Sequence, residues 1–130
     1  MHVDGGSRGN PGPAAAAAVA ADEAGNPLLE RNRYLGETTN NVAEYQGVLL
    51  ALELARELGA DEVEVVNDSE LVARQIGGQY RVKQEHLKPL HQQVMDALRV
   101  FDRWNVRSVR REHNVRADEL VNEALDAQAR

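Results

Sequence analysis

The sequence predicts an α/β fold in which residues 1–130 form one domain with five strands and four helices. Three observations support this class. Short β-branched runs end at Asp4 and Asp68, apolar residues recur at helical spacing over residues 41–58 and 86–102, and Gly or Pro clusters separate these segments. The chain has 130 residues and is 42% hydrophobic, which is enough for one core.

The amino-terminal third predicts three strands. Met1–Asp4 is a short strand, and Ala14–Ala21 and Leu28–Gly36 flank the turn sequence EAGNP in the manner of a hairpin. Polyalanine by itself favours a helix. Pro11 and Pro13 stand directly before it and argue against a helix there.

The clearest helix is predicted over Asn41–Leu58, where apolar residues recur every three or four positions and Gly59 ends the pattern. The residues expected to face the core are Val42, Tyr45, Val48, Leu49, Leu52, Ala55 and Leu58.

The remaining elements alternate between strand and helix. Glu62–Asn67 alternates as a central strand, and Trp104–Arg111 is a second strand. Three further helices are predicted over Ser69–Gly77, His86–Asp102 and Val115–Gln128, the second with Leu87, Leu90, Val94, Leu98 and Phe101 facing inward.

Composition excludes several classes of protein. The chain has no cysteine, which rules out disulfides, thiolate zinc sites and a cysteine nucleophile. No segment is apolar enough to span a membrane and none has the pattern of a signal peptide, so a cytoplasmic location is expected. A net charge of −6 is unusual for a protein that binds nucleic acid, although arginines cluster near residues 107–116.

Four carboxylates occur in distinctive settings near the ends of separate predicted elements. They are Asp4 in HVDGGSRGNPGP, Glu44 in TTNNVAEY, Asp68 in VVNDSELV and Asp118 in REHNVRADEL. Hard divalent cations take oxygen ligands, so converging acids indicate a metal site. For Glu44 and Asp118 the alternative is a carboxylate that stabilises the start of a helix through the macrodipole.

These segments, in this order and over almost the whole chain, resemble type 1 ribonuclease H. The resemblance implies a ribonuclease H-like fold, with a five-stranded mixed sheet of three antiparallel and then two parallel strands, and it favours a strand for Ala14–Ala21. It also implies a monomeric endonuclease that hydrolyses the RNA strand of RNA/DNA hybrids and leaves 3′-hydroxyl and 5′-phosphate ends. Two Mg²⁺ or Mn²⁺ ions would serve that chemistry.

The resemblance also implies roles for individual residues. Asp4 would bridge both ions, Glu44 and Asp68 would complete the site near the leaving group, and Asp118 would help hold the ion that activates water. Substrate contacts are implied for Asn10, Thr39, Asn40 and Asn41, the asparagines toward the RNA strand and Thr39 toward a DNA phosphate. Helix capping is the alternative for Thr39 and Asn40.

Two departures from the family pattern concern the auxiliary residues. The segment GGQYRVKQEH is too short for the basic protrusion that many members carry, which leaves Arg74, Arg81, Lys83 and Lys88 as modest substitutes. His113 lies closer to Asp118 than the family's loop histidine lies to its last acid, so a plain surface histidine is the preferred interpretation. Asn114, its neighbour, is an auxiliary candidate.

Two other functions remain open from the sequence. One is a structure-specific DNA nuclease on the same fold, which the GNPGP and TTNN segments disfavour. The other is a binding module without catalytic activity, which would be expected to lack at least one of the four acids.

Overall fold

The structure is a computed structural model that describes residues 1–129. Its strands are β1 (His2–Ser7), β2 (Gly12–Ala21), β3 (Pro27–Thr38), β4 (Glu62–Asn67) and β5 (Arg103–Ser108). Its helices are α1 (Asn40–Glu57), α2 (Glu70–Ile76), α3 (Lys88–Leu98) and α4 (Val115–Gln128), with single 3-10 turns at Glu85–Leu87 and Arg111–His113.

The five strands form one mixed sheet in the order β3-β2-β1-β4-β5. The first three strands pair antiparallel, and β4 pairs parallel with both β1 and β5. The predicted fold class and strand arrangement are therefore confirmed. Because β1 and β4 are central and parallel, their carboxyl ends lie together at one edge of the sheet.

The polyalanine segment is strand β2, and its small side chains explain how helices pack on both faces of the sheet. Ala18 and Ala20 belong to the larger core beneath α1 and α3, whereas Ala15 and Ala17 contact α4 residues such as Leu120. Neighbouring side chains of a strand point to opposite faces. A strand buried on both faces lacks the alternation of apolar and polar residues that identifies a strand in a sequence. The small alanine side chains let helices α1 and α4 approach the sheet from opposite faces.

Several element boundaries differ from the sequence prediction, and two of these differences have a clear structural cause. Strand β1 continues three residues past Asp4 to Ser7, because Gly5–Ser7 pair with β2. Helix α3 begins at Lys88 and not at His86, because Pro89 has no N–H to bond the Glu85 carbonyl, and a 3-10 turn precedes it.

The inward positions of α1 and α3 were mostly predicted correctly. Leu58 is an exception, since it caps the end of α1 and is 44% exposed. Phe101 is buried as expected but follows α3, which ends at Leu98. Within residues 1–129, no helix has the length and apolarity needed to cross a membrane.

Helix α1 lies directly against strand β1 because both carry glycine at the contact. A Cβ on Gly5 would overlap the backbone carbonyl of Ala43, and one on Gly47 would come within 2.7 Å of the Asp4 carbonyl oxygen. No side chain fits between the two backbones. The two glycines of the DGG segment therefore differ. Gly5 has no room for a side chain, whereas a Cβ on Gly6 would meet its nearest atom only at 4.0 Å.

We expect Gly5→Ala to destabilise the protein by about 3 kcal/mol or more, because the rigid α1 backbone must move to admit the methyl group. Gly6→Ala, one position along the same strand, should change stability by less than about 1 kcal/mol. Urea unfolding of both variants measures the difference. Equal stability of the two would show that α1 does not depend on close backbone contact with β1.

Candidate active site

Three carboxylates from three elements meet at the carboxyl edge of the central strands. Asp4 lies on β1, Glu44 on the second turn of α1, and Asp68 directly after β4. Each contributes a carboxylate oxygen, and these oxygens lie within 4.8 Å of one another. The sequence prediction that separate elements bring these acids together is confirmed for these three.

The sheet register and the helix contact explain this convergence. His2 of β1 pairs with Val66 of β4, so two residues further along Asp4 stands beside Asp68. Side chains opposite each other in register point to the same face. Glu44 joins them because α1 approaches β1 closely at Gly5 and Gly47.

Asp4 is the most enclosed acid of the group, with 5% of its surface exposed. Burial, and then the negative charges of Asp68 and Asp118, raise its pKa to about 8. Its oxygen Oδ1 accepts a 2.9 Å hydrogen bond from the Gly5 amide, which opposes this rise only in part. A carboxyl group with so high a pKa holds a proton at neutral pH unless a cation compensates its charge.

Glu44 and Asp68 are similarly perturbed. Burial, followed by the charges of Asp4 and Asp68, raises the pKa of Glu44 to about 9. The Glu44 oxygen Oε2 is fully enclosed and has no hydrogen-bond partner among the described residues. Burial also raises the pKa of Asp68, while the nearby Arg111 guanidinium works in the opposite direction.

The fourth acid, Asp118, reaches the cluster from the first turn of α4. It lies within hydrogen-bonding reach of Asp4 but outside the set of three whose oxygens are mutually close. Asn114, just before α4, positions this helix: it is 1% exposed, and its Nδ2 donates a 2.7 Å hydrogen bond to the Val3 carbonyl. Asn114 therefore ties the start of α4 to the residue next to Asp4.

This donor set fits a divalent oxygen-binding cation. Magnesium holds its ligands at about 2.1 Å, so oxygens on opposite sides of the ion lie about 4.2 Å apart, a separation the cluster reaches with small side-chain adjustments. Such an ion would satisfy the enclosed, unpartnered Glu44 oxygen. The four acids are all hard ligands, and in the part of the chain that the structure describes the cluster includes no sulfur or histidine ligand.

Comparison with known proteins places this chain in a family. The family described as reverse transcriptase-like matches residues 2–124. Ribonuclease HI of Halobacterium salinarum is 41% identical over 125 residues, which is 96% of this chain. The chain belongs to the ribonuclease HI family.

Solved structures of ribonuclease HI proteins share the fold closely. A crystal structure of LC11-RNase H1 in complex with RNA/DNA hybrid matches with a TM-score of 0.94 at 45% identity, covering 99% of this chain and 97% of that one. RNase H1 of Halobacterium salinarum matches with a TM-score of 0.94 at 40% identity, over 97% of this chain and 96% of that one.

Curated relatives of this ribonuclease HI chain are longer proteins. The chain spans 63% of the length of the Halobacterium salinarum protein. It is also 44% identical over 131 residues to the bifunctional protein Rv2228c of Mycobacterium tuberculosis, covering 99% of this chain but 36% of that protein.

The predicted substrate residues lie beside the acid cluster, where β1, the following loop and the start of α1 meet. Asn40 Oδ1 accepts hydrogen bonds from the Ser7 amide at 2.8 Å and the Ser7 hydroxyl at 3.0 Å. Asn10 Oδ1 accepts from the Asn40 amide at 3.0 Å. Backbone N–H groups only donate, so these bonds fix both side-chain oxygens inward and leave both NH₂ groups available as donors.

Thr39 caps helix α1, since its hydroxyl accepts from the Val42 amide at 3.3 Å. The capping interpretation of Thr39 is therefore correct, and it does not preclude a substrate contact. Asn41 follows on the first turn of α1 and is half-buried. Its contact with the RNA strand stays a prediction.

Arg111 is a residue that sequence reasoning did not select for the site. Its guanidinium Nε lies 3.9 Å from Asp68 Oδ2, and its charge lowers the pKa of both Asp68 and Glu44 against the effect of burial. Arg111 lies seven residues before Asp118, but no feature of the sequence distinguishes it from the neighbouring arginines. His113, by contrast, is exposed in the 3-10 turn, as preferred from the sequence.

Without divalent ions, the stability of this chain should fall as the pH rises from acid to mildly alkaline values. A carboxyl group with a raised folded-state pKa stabilises the fold fully only below its unfolded pKa, and that contribution is lost as the pH rises through the folded pKa. For Asp4 the window runs from 3.8 to about 8, and for Glu44 from 4.5 to about 9.

We therefore expect the melting temperature in EDTA to fall between pH 5 and pH 9 more steeply for the wild type than for Asp4→Asn, which removes the central charge. Mn²⁺ or Mg²⁺ should raise the wild-type melting temperature, and most of that rise should be absent in Asp4→Asn. Parallel pH profiles in the two proteins would mean that the acids do not repel one another in the folded state.

Proposed function

We propose that this chain hydrolyses the RNA strand of RNA/DNA hybrids, using divalent metal ions held by Asp4, Glu44, Asp68 and Asp118. The observation that carries the proposal is the convergence of three carboxylate oxygens within 4.8 Å, one of them buried without a hydrogen-bond partner. A related protein, LC11-RNase H1, has been solved in complex with RNA/DNA hybrid. Membership of the same family at 45% identity supports the same substrate here.

The positions of the acids suggest which of them would hold each ion. Asp4 is the common neighbour, since it interacts with Glu44, Asp68 and Asp118. It is thus suited to serve two ions at once, one shared with Glu44 and Asp68 and a second shared with Asp118. Bound Mg²⁺ or Mn²⁺ ions would activate a water molecule and stabilise the leaving oxygen, giving 3′-hydroxyl and 5′-phosphate ends.

The chain's own groups would prepare the substrate for this reaction. Burial of Asp4 and Glu44 keeps the acid cluster poor in water, which strengthens electrostatic interactions inside it. Arg111 is 83% exposed beside Asp68 and can turn toward an incoming phosphate. This positive charge would offset part of the repulsion between the acids and the nucleic-acid backbone.

Recognition of the RNA strand would rest on Asn10 and Asn40. Their oxygens are engaged within the protein, so each presents an NH₂ group as a donor. The oxygen of a ribose 2′-hydroxyl accepts such a bond, and DNA lacks this group. Because Ser7 and the start of α1 hold both side chains in place, the donors are positioned before the substrate arrives.

The first test of the proposal replaces Asp68 with Asn, which keeps its size but removes a ligand charge. We expect hybrid cleavage to fall by more than about a hundredfold, because losing even a partner of a metal ligand costs about 10- to 100-fold. Asp61→Asn, an exposed acid at the far end of β4, is the control and should cleave normally.

Cleavage is measured on matched hybrid, RNA duplex and DNA duplex, with Mg²⁺, with Mn²⁺ and with EDTA. Only the hybrid with a metal ion should be cut, and only in its RNA strand. Preferential cleavage of the DNA duplex would contradict the proposal and favour a DNA nuclease. Full activity of Asp68→Asn at saturating metal would remove Asp68 from the site.

A second test separates substrate recognition by Asn40 from its structural role of holding Ser7 against the start of α1. Asn40→Asp retains an oxygen that accepts from Ser7 but loses the NH₂ donor, and its negative charge suits the start of α1. We expect KM for the hybrid to rise about fivefold with little change in kcat. The affinity for hybrid relative to the affinity for DNA duplex should fall as well. The added charge alone would weaken binding of the two duplexes equally and would leave this ratio unchanged.

Asn40→Ala serves as the comparison because it removes the oxygen that accepts from Ser7 as well as the NH₂ donor. If Asn40→Asp leaves the affinity ratio unchanged while Asn40→Ala only lowers the melting temperature, Asn40 has a structural role and does not read the RNA strand.

A further inference from the structure

Three polar side chains join helices α1, α2 and α3 inside the protein. The Tyr45 hydroxyl of α1 donates a 2.6 Å hydrogen bond to Gln75 Oε1 of α2. The Gln75 carbonyl oxygen lies 3.1 Å from His91 Nε2 of α3, and since a carbonyl oxygen only accepts, this nitrogen carries the proton. The rings of His91 and Tyr45 also meet nearly at right angles, with their centres 6.4 Å apart.

The bond between Tyr45 and Gln75 lies in the core. Tyr45 is fully buried, Gln75 is 6% exposed, and within residues 1–129 theirs is the one hydrogen bond between two side chains that is buried. The core around them consists mainly of valine, leucine and alanine. Apolar residues of similar shape would fill this space without the cost of burying polar groups. What the polar pair adds is direction, which apolar packing lacks.

The two helices that this bond joins are also the helices next to two of the acids. Glu44 precedes Tyr45 on α1, and Asp68 lies in the turn between β4 and α2. Ser69 caps α2 by accepting from the Val72 amide at 3.3 Å, so the turn that holds Asp68 is hydrogen-bonded to the helix. A displacement of α2 relative to α1 would therefore change the separation of the Glu44 and Asp68 carboxylates.

Repulsion between the acids favours such a displacement when no cation is present. Oxygens of Glu44 and Asp68 lie within 4.8 Å of each other, and like charges at this distance repel. Val72 and Ile76 attach α2 to the core by apolar packing, which resists separation but does not fix a direction. A hydrogen bond does fix it, since its energy is lost when donor and acceptor move apart or out of line.

We propose that Tyr45 and Gln75 are positioning residues that hold Glu44 and Asp68 at the separation a divalent ion requires. Both are buried, so each acts through the helix that carries or follows an acid. The inference rests on the proposed function, because it concerns the ion shared by Glu44 and Asp68. His91 supports the arrangement from α3, where it contacts both members of the pair.

A positioning role predicts weaker metal binding. Without the hydrogen bond, the carboxylates of Glu44 and Asp68 must be brought together at the moment of binding, and that cost appears in the metal Kd. The metal concentration for half-maximal hybrid cleavage should rise with this Kd, and excess metal should restore most of the rate. A purely structural role would instead lower the melting temperature and leave the Kd of the folded protein unchanged.

The test titrates metal-free Tyr45→Phe, Gln75→Met and the double variant with Mn²⁺ in a calorimeter. Each single variant leaves one polar group buried without its partner, so it should lower the melting temperature, and it should raise the Mn²⁺ Kd about tenfold. The double variant replaces both groups by apolar ones of similar shape and should recover most of the melting temperature. Its Kd should stay raised about tenfold, because the directed bond is still missing.

Tyr34→Phe is the matched control, since it removes the hydroxyl of a tyrosine that is 37% exposed on the edge strand β3. It should change neither the melting temperature nor the Mn²⁺ Kd. An equal rise in Kd in this control would overturn the proposal, because the loss would then not depend on the bond between α1 and α2.

Two further outcomes would contradict the positioning role. One is a wild-type Kd in the single variants, and the other is a double variant that recovers the wild-type Kd together with its melting temperature. The proposed function fails in a different way: a wild type that binds Mn²⁺ but does not cut hybrid contradicts the activity. A wild type that binds and cuts, with variants of equal metal affinity, contradicts only the role of Tyr45 and Gln75.

Discussion

The direct contact between the backbones of helix α1 and strand β1 is the constraint on which the site depends. Asp4 and Glu44 are on different elements, and their carboxylates meet only because Gly5 and Gly47 place no side chain between those elements. The alanines of β2 continue the same arrangement next to β1, where they are buried on both faces. Small residues at the centre of this fold are therefore determinants of active-site geometry.

The cost of this geometry is electrostatic. Burial raises the pKa of Asp4, Glu44 and Asp68, and each carboxylate adds to the repulsion felt by another. Packing of aliphatic side chains under α1 and α3 must outweigh that repulsion in the absence of metal. The protein therefore stores unfavourable interaction energy at the place where a cation would relieve it.

Much of this architecture was predictable from the sequence. Strand β4 and helix α4 were located to the residue, because each is bounded by clear turn or polar residues and has a regular apolar period. The assignment of β2 needed more than propensity, because alanine favours helix and a strand buried on both faces shows no alternation.

The site was predictable in part. The acids Asp4, Glu44 and Asp68 stood in distinctive sequence contexts, and the structure brings them together. Arg111 was missed because its position depends on how a loop folds against Asp68, which no local pattern encodes. Likewise, the inward orientation of the Asn40 oxygen results from Ser7, a residue 33 positions away in the chain.

Some exposed arginines of this protein are paired with its own acids, which has a consequence for how its surface responds to its surroundings. A phosphate that approaches Arg103 or Arg107 meets a guanidinium already matched with Glu62 or Glu64 of the adjacent strand. Contact there exchanges one anion for another, so the free energy gained is the difference between two similar interactions. Dissolved salt weakens both the arginine–glutamate pair that is lost and the arginine–phosphate pair that is formed. A phosphate contact made through these paired arginines should therefore change little in strength between dilute and concentrated electrolyte.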